Sequence, residues 1–252
     1  MSDELHELMS RTQVVFGRDY FLNNKIFDKV AFCVVATPEI EDYAKYTKYA
    51  NQIYCEKQGY DFITSSARLG DRAPEWDKVL LTMKHIDEYD LIFSLDADAI
   101  IIDHNMRLEH LMVRDKDLYL CNDRPYRGRD FSINTGVWIM RTDSIERKEF
   151  FKQLCLKWYA LGEALHLEHK LALEQTTLNI LLYELPEFQE CFYGPPDIGR
   201  ARLFPYDDLN NFLYHAMAKP LEFRVKQFKN IIKTLKLDSL GSSNYLSLSK
   251  RA

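Results

Sequence analysis

Leu91-Ile92-Phe93-Ser94-Leu95-Asp96-Ala97-Asp98-Ala99-Ile100-Ile101-Ile102 is the stretch whose reading decides the fold. Leu91 to Leu95 is apolar but for one serine, follows the polar Tyr89-Asp90, and ends on two carboxylates one residue apart. Such a run reads as a strand buried on both faces, the habit of strands in a parallel sheet. In open α/β sheets, ligands sit beyond the carboxyl ends of the strands. Asp96 and Asp98 therefore fall where a ligand falls, with Ala97 directed the opposite way. Two hard oxygen donors suit Mg²⁺ or Mn²⁺ carried on a diphosphate. The competing reading is a pair of aspartates that caps the next turn.

Upstream, Lys29 to Ala36 is a β-rich run closed by Thr37-Pro38, a first buried strand followed by a helix start with Pro38 in its first turn. Tyr43, Ala44, Tyr46, Ala50, Ile53 and Tyr54 recur at helical spacing down to Gln58. Gly59 stops that helix, and Tyr60 to Thr64 reads as a second strand. Strand, helix and strand in that order imply a parallel pair with a right-handed crossover. Pro74-Glu75-Trp76 opens another helix, with Trp76, Val79, Leu80, Met83 and Ile86 on one apolar face.

Downstream, the pattern predicts a strand over Asp117 to Asn122 and a polar loop from Tyr126 to Asp130. Phe131 to Arg141 then combines a turn-like Asn134-Thr135-Gly136 with an apolar strand. Asp143 with Glu146 three residues on has the capping-box spacing that starts a helix, here running to Leu161. Leu171 to Leu182 is the next helix, with Glu174-Gln175 near its start. Short strands or turns at Cys191 to Tyr193 and Arg202 to Phe204 flank Gly194-Pro195-Pro196. Asn211 to His215 runs into Lys219-Pro220, and Leu221, Val225, Phe228, Ile231, Ile232 and Leu235 mark an amphipathic last helix. Residues 1–28 read as an N-terminal arm, 29–238 as one α/β domain and 239–252 as a loose, Ser-rich tail.

With 252 residues, 46% of them apolar, the chain can build a full core. A net charge of −5 gives no electrostatic reason to expect nucleic acid or an anionic membrane as partner. An acidic protein still takes an anionic ligand when a divalent cation bridges them. No apolar run reaches the roughly 18 residues of a membrane span, and Met1 to His6 lacks the flank of a signal peptide. The five cysteines (Cys33, Cys55, Cys121, Cys155 and Cys191) are scattered without a C-x-x-C pair, and no Asn-x-Ser/Thr sequon occurs. Buried free thiols in a reducing, cytoplasmic compartment are expected. A Golgi lumen stays open if the chain is part of a longer, anchored one.

The chemistry-bearing pieces come in one order. Thr37-Pro38 ends a strand, and Trp76 and Lys78 sit on a helix. Asp96-Ala97-Asp98 follows, then Asn134-Thr135-Gly136 with Arg141, Glu174-Gln175, and His215 with Lys219-Pro220. With this set, spread from Val30 to Arg224, the chain resembles the nucleotide-sugar transferases of the GT-A fold. Among them it most resembles glycosyltransferase family 34, the α-galactosyl-, α-xylosyl- and mannosyltransferases. The resemblance implies an α/β, Rossmann-like, mostly parallel central sheet flanked by helices in a single domain.

For the site, the resemblance implies that Asp96 and Asp98 bind Mn²⁺ (or Mg²⁺), with His215 as a distant third ligand. Through that ion they would hold a nucleoside-diphosphate sugar, UDP-linked. It further implies Lys219 as a point charge on a phosphate, Lys78 turned towards the donor, and Thr37 and Tyr43 near uracil and ribose. Asn134 and Gly136 would line the sugar pocket. The family has one more residue between its His and its Lys than lie between His215 and Lys219. Taken alone, His215 beside Phe212 and Tyr214 also fits a core histidine, Lys78 a solvated face, and Tyr43 core packing.

Glu174 and Gln175 stand where the family has Asp-Gln beside the anomeric carbon. One added methylene moves the carboxylate by about 1.5 Å, which matters for a nucleophile held at ~3–3.5 Å. Front-side transfer with retention is therefore the expectation, with Glu174 and Gln175 stabilising an oxocarbenium-like state electrostatically. The expected reaction moves galactose, xylose or glucose from a UDP-sugar to a hydroxyl of a glycan or glycolipid acceptor. Two other readings compete: a haloacid-dehalogenase-type phosphatase, and a non-catalytic protein that binds sugar nucleotides. The first usually carries its D-x-D on the first strand, whereas here a whole strand–helix–strand unit precedes Asp96.

Overall fold

The computed structural model describes residues 27–112, 116–123, 132–167, 173–184, 201–204 and 212–237. The expected arm (to residue 26), the polar loop at 126–130, the segment 191–196 and the tail lie outside the described residues. The strands are β1 (Val30–Val35), β2 (Asp61–Ser65), β3 (Leu91–Leu95), β4 (Ala99–Ile101), β5 (Leu118–Asp123), β6 (Ser132–Arg141), β7 (Ala201–Phe204) and β8 (Leu213–His215). The helices are α1 (Glu41–Gln58), α2 (Asp77–His85), α3 (Ile145–Ala164), α4 (Leu173–Glu184) and α5 (Leu221–Thr234).

Six strands form the central sheet in the order β2-β1-β3-β6-β5-β7, while β4 and β8 pair separately. β1 is parallel to β2 and to β3, and β7 is parallel to β5. β6 alone runs against its neighbours β3 and β5. The chain therefore winds both ways from β1, which opens a crevice at the carboxyl ends of β1 and β3. Asp96 and Asp98 follow β3 into that crevice.

Alternation along the strands divides the core into two layers. Phe32, Val34, Leu91, Phe93 and Leu95 pack with α1, α5 and the β4–β8 ribbon, through Tyr54, Phe212 and Phe228. Ala31, Cys33, Val35, Ile92 and Trp138 pack on the other face with α2, α3 and α4, through Val79, Phe151, Trp158 and Leu181. All five residues of β3 are buried, as a strand covered on both faces requires.

Element boundaries depart from the sequence reading where backbone chemistry intervenes. Pro38–Ile40 and Pro74–Trp76 form 3₁₀ turns ahead of α1 and α2. Each turn closes with an i→i+3 bond, from Glu41 N to Pro38 O and from Asp77 N to Pro74 O, and the helix proper begins after it. α1 ends as expected at Gly59, whose φ of 73° is the left-handed C-cap glycine tolerates. Asp143 does not cap α3; Ser144 does, its Oγ accepting from Arg147 N at 3.3 Å. The Asp143 carboxylate is drawn instead to Arg141 (2.8 Å) and Arg147 (2.9 Å). Asn134-Thr135-Gly136 is not a turn before a strand but part of β6 itself.

Candidate active site

The connection from β3 to β4 carries the two aspartates, and its backbone is tied down on every side. Asp96 N donates to Gly136 O at 2.8 Å, and Ala216 N donates to Asp98 O at 2.9 Å. Thr47 Oγ1 donates to Ala97 O at 2.6 Å. Asn51 reaches across from α1, donating to Ala99 O at 3.0 Å and accepting from Ile101 N at 2.9 Å. Ala97 turns into the core. Buried backbone groups satisfied in this way fix the loop, so the carboxylates are held rather than draped.

His215 arrives through the ribbon, in which Ala99 of β4 pairs with His215 of β8. Its Nε2 lies 3.0 Å from Asp98 Oδ1 and 3.5 Å from Asp96 Oδ2. One ligand atom from each of Asp96, Asp98 and His215 falls within 4.8 Å of the others. Burial works against a charged His215, but hydrogen bonds with Asp96 and Asp98 outweigh it and raise the imidazole to about 9. Burial likewise works against the Asp96 carboxylate, yet the Lys78 charge and His215 hold it well below the usual carboxylate range. Two carboxylates and an imidazole converging on one point are a donor set that a divalent ion fits, with positions left for other oxygens.

Gly136 makes that convergence possible. Between Leu120 and Cys121 of β5 the β6 partner jumps from Trp138 to Asn134, so Thr135, Gly136 and Val137 form a bulge. A Cβ on Gly136 would stand 2.2 Å from His215 Cε1, 2.8 Å from Asn134 Oδ1 and 2.9 Å from Asp96 Oδ2. Asn134 Oδ1 accepts from Gly136 N at 2.8 Å, and Asn134 Nδ2 donates to Met217 Sδ at 3.0 Å.

Lys78, which could have faced solvent, is only 5% exposed. Its ammonium donates to Asp96 Oδ1 and, at 3.0 Å, to Thr135 O, and lies 3.7 Å from Glu174 Oε1. Burial opposes the charge, but Asp96 and Glu174 keep Lys78 cationic, with its pKa raised. Glu174 Oε1 also accepts from Thr135 Oγ1 at 2.8 Å, while Glu174 Oε2 is buried with no hydrogen-bond partner. Gln175 Oε1 accepts from Thr135 N at 3.1 Å. The start of α4 is thereby sewn to the bulge of β6, and Trp158 Nε1 supports it from behind through Glu174 O at 2.7 Å.

The remaining expected residues sit around this cluster or apart from it. Thr37 is buried just past the end of β1. Tyr43 is buried in the core, its ring 6.4 Å from that of Phe228. Lys219 is exposed on the turn after β8, its ammonium 5.8 Å over the Phe223 ring. The cation that reaches the aspartates from this part of the chain is Arg224, with Nη2 at 3.0 Å from Asp98 Oδ2. The sequence carried no signal for that, since an arginine on the first turn of an amphipathic helix reads as a solvated charge. Glu75 is a second unforeseen group: burial and then the Glu174 charge raise its carboxyl. A separate cleft of about 460 Å³ between α1 and β2, lined by Glu41, Lys45, Gln52 and Asp61, includes none of these residues.

A mostly parallel sheet with carboxylates at its switch point is the fold expected of the GT-A glycosyltransferases. Within that class the chain resembles glycosyltransferase family 34: residues 36–153 match the galactosyl transferase GMA12/MNN10 family. The matched part contains Lys78, Asp96, Asp98, Asn134 and Gly136, whereas Glu174, His215 and Arg224 lie beyond it. No curated protein matches the chain. Among solved structures it is similar to a glycosyltransferase involved in the glycosylation of the major capsid of PBCV-1. That likeness covers 80% of this chain and 98% of that one, at 16% identity and a TM-score of 0.55. The glycosyltransferase GlyE of Streptococcus pneumoniae TIGR4 is 16% identical over 84% of this chain and 65% of its own, with a TM-score of 0.46. Mouse xyloside xylosyltransferase 1 is 10% identical over 75% and 98%, with a TM-score of 0.42. The likeness of fold rests on the first of these.

Proposed function

We propose that the protein is a metal-dependent, retaining glycosyltransferase that moves a hexose or pentose from a UDP-sugar to a hydroxyl of a glycan or glycolipid. The observation that carries this reading is the convergence of Asp96, Asp98 and His215 within 4.8 Å at the end of β3. Mn²⁺ or Mg²⁺ held there would offset the charge that grows on the departing diphosphate. Among the groups in direct contact, three carboxylates (Asp96, Asp98, Glu174) face two fixed cations (Lys78, Arg224). With His215 neutral, as an imidazole that ligates an ion must be, the cluster is one charge negative, and a divalent ion makes it one charge positive. That is the sign a diphosphate requires.

Within the reaction, Glu174 supplies negative charge to the sugar as it becomes oxocarbenium-like. Its Oε1 is immobilised by Thr135 and Lys78, so the group is preorganised and reorients little as charge develops. Gln175 is spent on Thr135 N and serves chiefly to hold the bulge. Lys78 fixes Asp96 and tempers Glu174, and Gly136 leaves room for the His215 imidazole against the bulge.

Glu174→Gln tests this arrangement. If transfer is front-side, activity falls by about 10²–10³-fold, the size of losing one preorganised electrostatic group. The product anomer, read by NMR, keeps the donor's α linkage. A β product overturns retention, and a glycosyl adduct on Glu174 found by mass spectrometry replaces front-side transfer with double displacement. The same reading extends to a reducing compartment, which the buried free thiols of Cys33, Cys55 and Cys155 support. Thiol counting on the denatured protein tests it, with five free thiols expected for the whole chain.

A further inference from the structure

We infer that Arg224 couples metal binding to donor binding, holding Asp98 before the ion arrives and turning its charge to the diphosphate afterwards. The inference rests on the proposed function and deepens it. Both oxygens of Asp98 are engaged: His215 Nε2 lies 3.0 Å from Oδ1, and Arg224 Nη2 lies 3.0 Å from Oδ2. An ion that takes Asp98 as a ligand must therefore compete with a guanidinium at ion-pair distance.

Arg224 is built for the contact rather than caught in it. Its guanidinium carbon stands 4.9 Å over the Tyr43 ring, and its Nε is buried with no hydrogen-bond partner. The side chain is 20% exposed, so it keeps a charge in partly desolvated surroundings, where that charge acts more strongly than in bulk water. Its place on the first turn of α5 puts it next along the chain after the ribbon that delivers His215. Lys219, the other cation of this segment, is exposed beside Phe223.

A fixed positive charge acts with opposite sign on the two ligands of such a site. It repels a bare divalent cation and occupies one lone pair of Asp98, so it weakens metal binding alone. It attracts a diphosphate, and planar guanidinium donors match phosphate oxygens. Metal and nucleotide would then favour binding together over binding apart, a coupling between sites that is reciprocal by thermodynamic necessity. A residue that merely oriented Asp98 would act with the same sign on both ligands.

Calorimetric titrations of the full chain separate these roles, using Mn²⁺ alone and then UDP at saturating Mn²⁺, in the wild type and in Arg224→Gln. The variant is expected to bind Mn²⁺ alone more tightly and UDP with Mn²⁺ more weakly. The coupling factor, obtained with a third titration of UDP without Mn²⁺, should shrink by an amount within the usual range of about 5–150-fold. Arg224→Lys, which keeps the charge but not the fork, should move both affinities in the same directions by less, and serves if the Gln variant fails to fold. Parallel weakening of both ligands, or no change in either, overturns the inference. A wild type that binds Mn²⁺ but no nucleoside diphosphate overturns the proposed function instead. The Mn²⁺ arm still judges Arg224 in that event: unchanged or weaker Mn²⁺ binding in Arg224→Gln removes its competition for Asp98.

Discussion

Gly136 is where one atom decides whether the site exists. A methyl group there meets His215 and Asp96 well inside contact distance, and the imidazole, buried and paired with Asp98, has little room to withdraw. Gly136→Ala should therefore lose Mn²⁺ binding by at least tenfold, about 1.4 kcal/mol, with an unchanged far-ultraviolet circular dichroism spectrum. Metal affinity equal to wild type would show that the ring can step aside. Asp96→Asn should abolish transfer and also cost stability, because Lys78 loses its nearest counterion. The loss should stay below the roughly 3–5 kcal/mol of breaking a wholly buried pair, since Glu174 remains 3.7 Å away. Thermal melts should rank Asp96→Asn below Asp98→Asn. At this scale the sequence spoke unevenly. Asp96 and Asp98 were legible from the strand they terminate, and His215 from its order in the chain. Arg224 was silent, because only the ribbon and α5 bring its charge back to the sheet.

At the scale of elements, the pairing of α4 with the β6 bulge does what a regular ladder cannot. Thr135 in the bulge has no β5 partner and gives its N–H to Gln175 of α4; just before the bulge, Ile133 pairs with Asn122 of β5 and is held by α4 as well. Asn179 Oδ1 accepts from Ile133 N at 2.9 Å, and its Nδ2 donates to Ile133 O at 3.0 Å. Asn179→Ala leaves both groups of Ile133 unsatisfied in a buried place, at a cost of about 1–3 kcal/mol each at most. We expect a lower unfolding midpoint in urea together with a reduced kcat, since Glu174 and Gln175 lie on the same helix. A drop in stability with full kcat would mean that the helix start is held by Thr135 and Trp158 alone. The elements themselves were largely readable, from apolar runs for β1 and β3 and from helical periodicity for α1 and α5. Asn134-Thr135-Gly136 was not, because turn residues inside a bulge carry the same signature as turn residues between strands. Asp143 misled for a similar reason: capping spacing is local, whereas Arg141 and Arg147 compete for its carboxylate in three dimensions.

For the molecule as a whole, a doubly covered parallel sheet followed from strand–helix–strand order, whereas the reversed direction of β6 and the sheet's strand order did not. Those depend on which crossovers the helices allow, and no single stretch encodes them. Burial on both faces has a further effect on the thiols. Desolvation raises both Cys33 and Cys155 to about 12. In the unfolded chain a thiol titrates near 8.5. Below that pH both states hold the proton and nothing is lost. Above it the unfolded chain sheds protons that the folded chain keeps, so stability falls as pH rises towards 12. The slope should approach about 1.4 kcal/mol per pH unit for each thiol. Urea midpoints measured from pH 8 to 11 should fall, and Cys155→Ala should flatten the decline. Equal slopes in wild type and variant would assign alkaline lability to other groups.

The three-residue ribbon of β4 and β8 has one more consequence. Asp98 and His215 are 117 residues apart in sequence, so an ion shared between them closes a long loop and acts as a clip on the last part of the chain. A local opening of β8 and α5 would take His215 and Arg224 away from the aspartates. Amide hydrogen exchange should therefore slow in residues 213–234 when Mn²⁺ is added, while amides of β1 and β3 keep the rates set by global unfolding. In this protein the metal site and the docking of the C-terminal helix would be one equilibrium, seen by two methods.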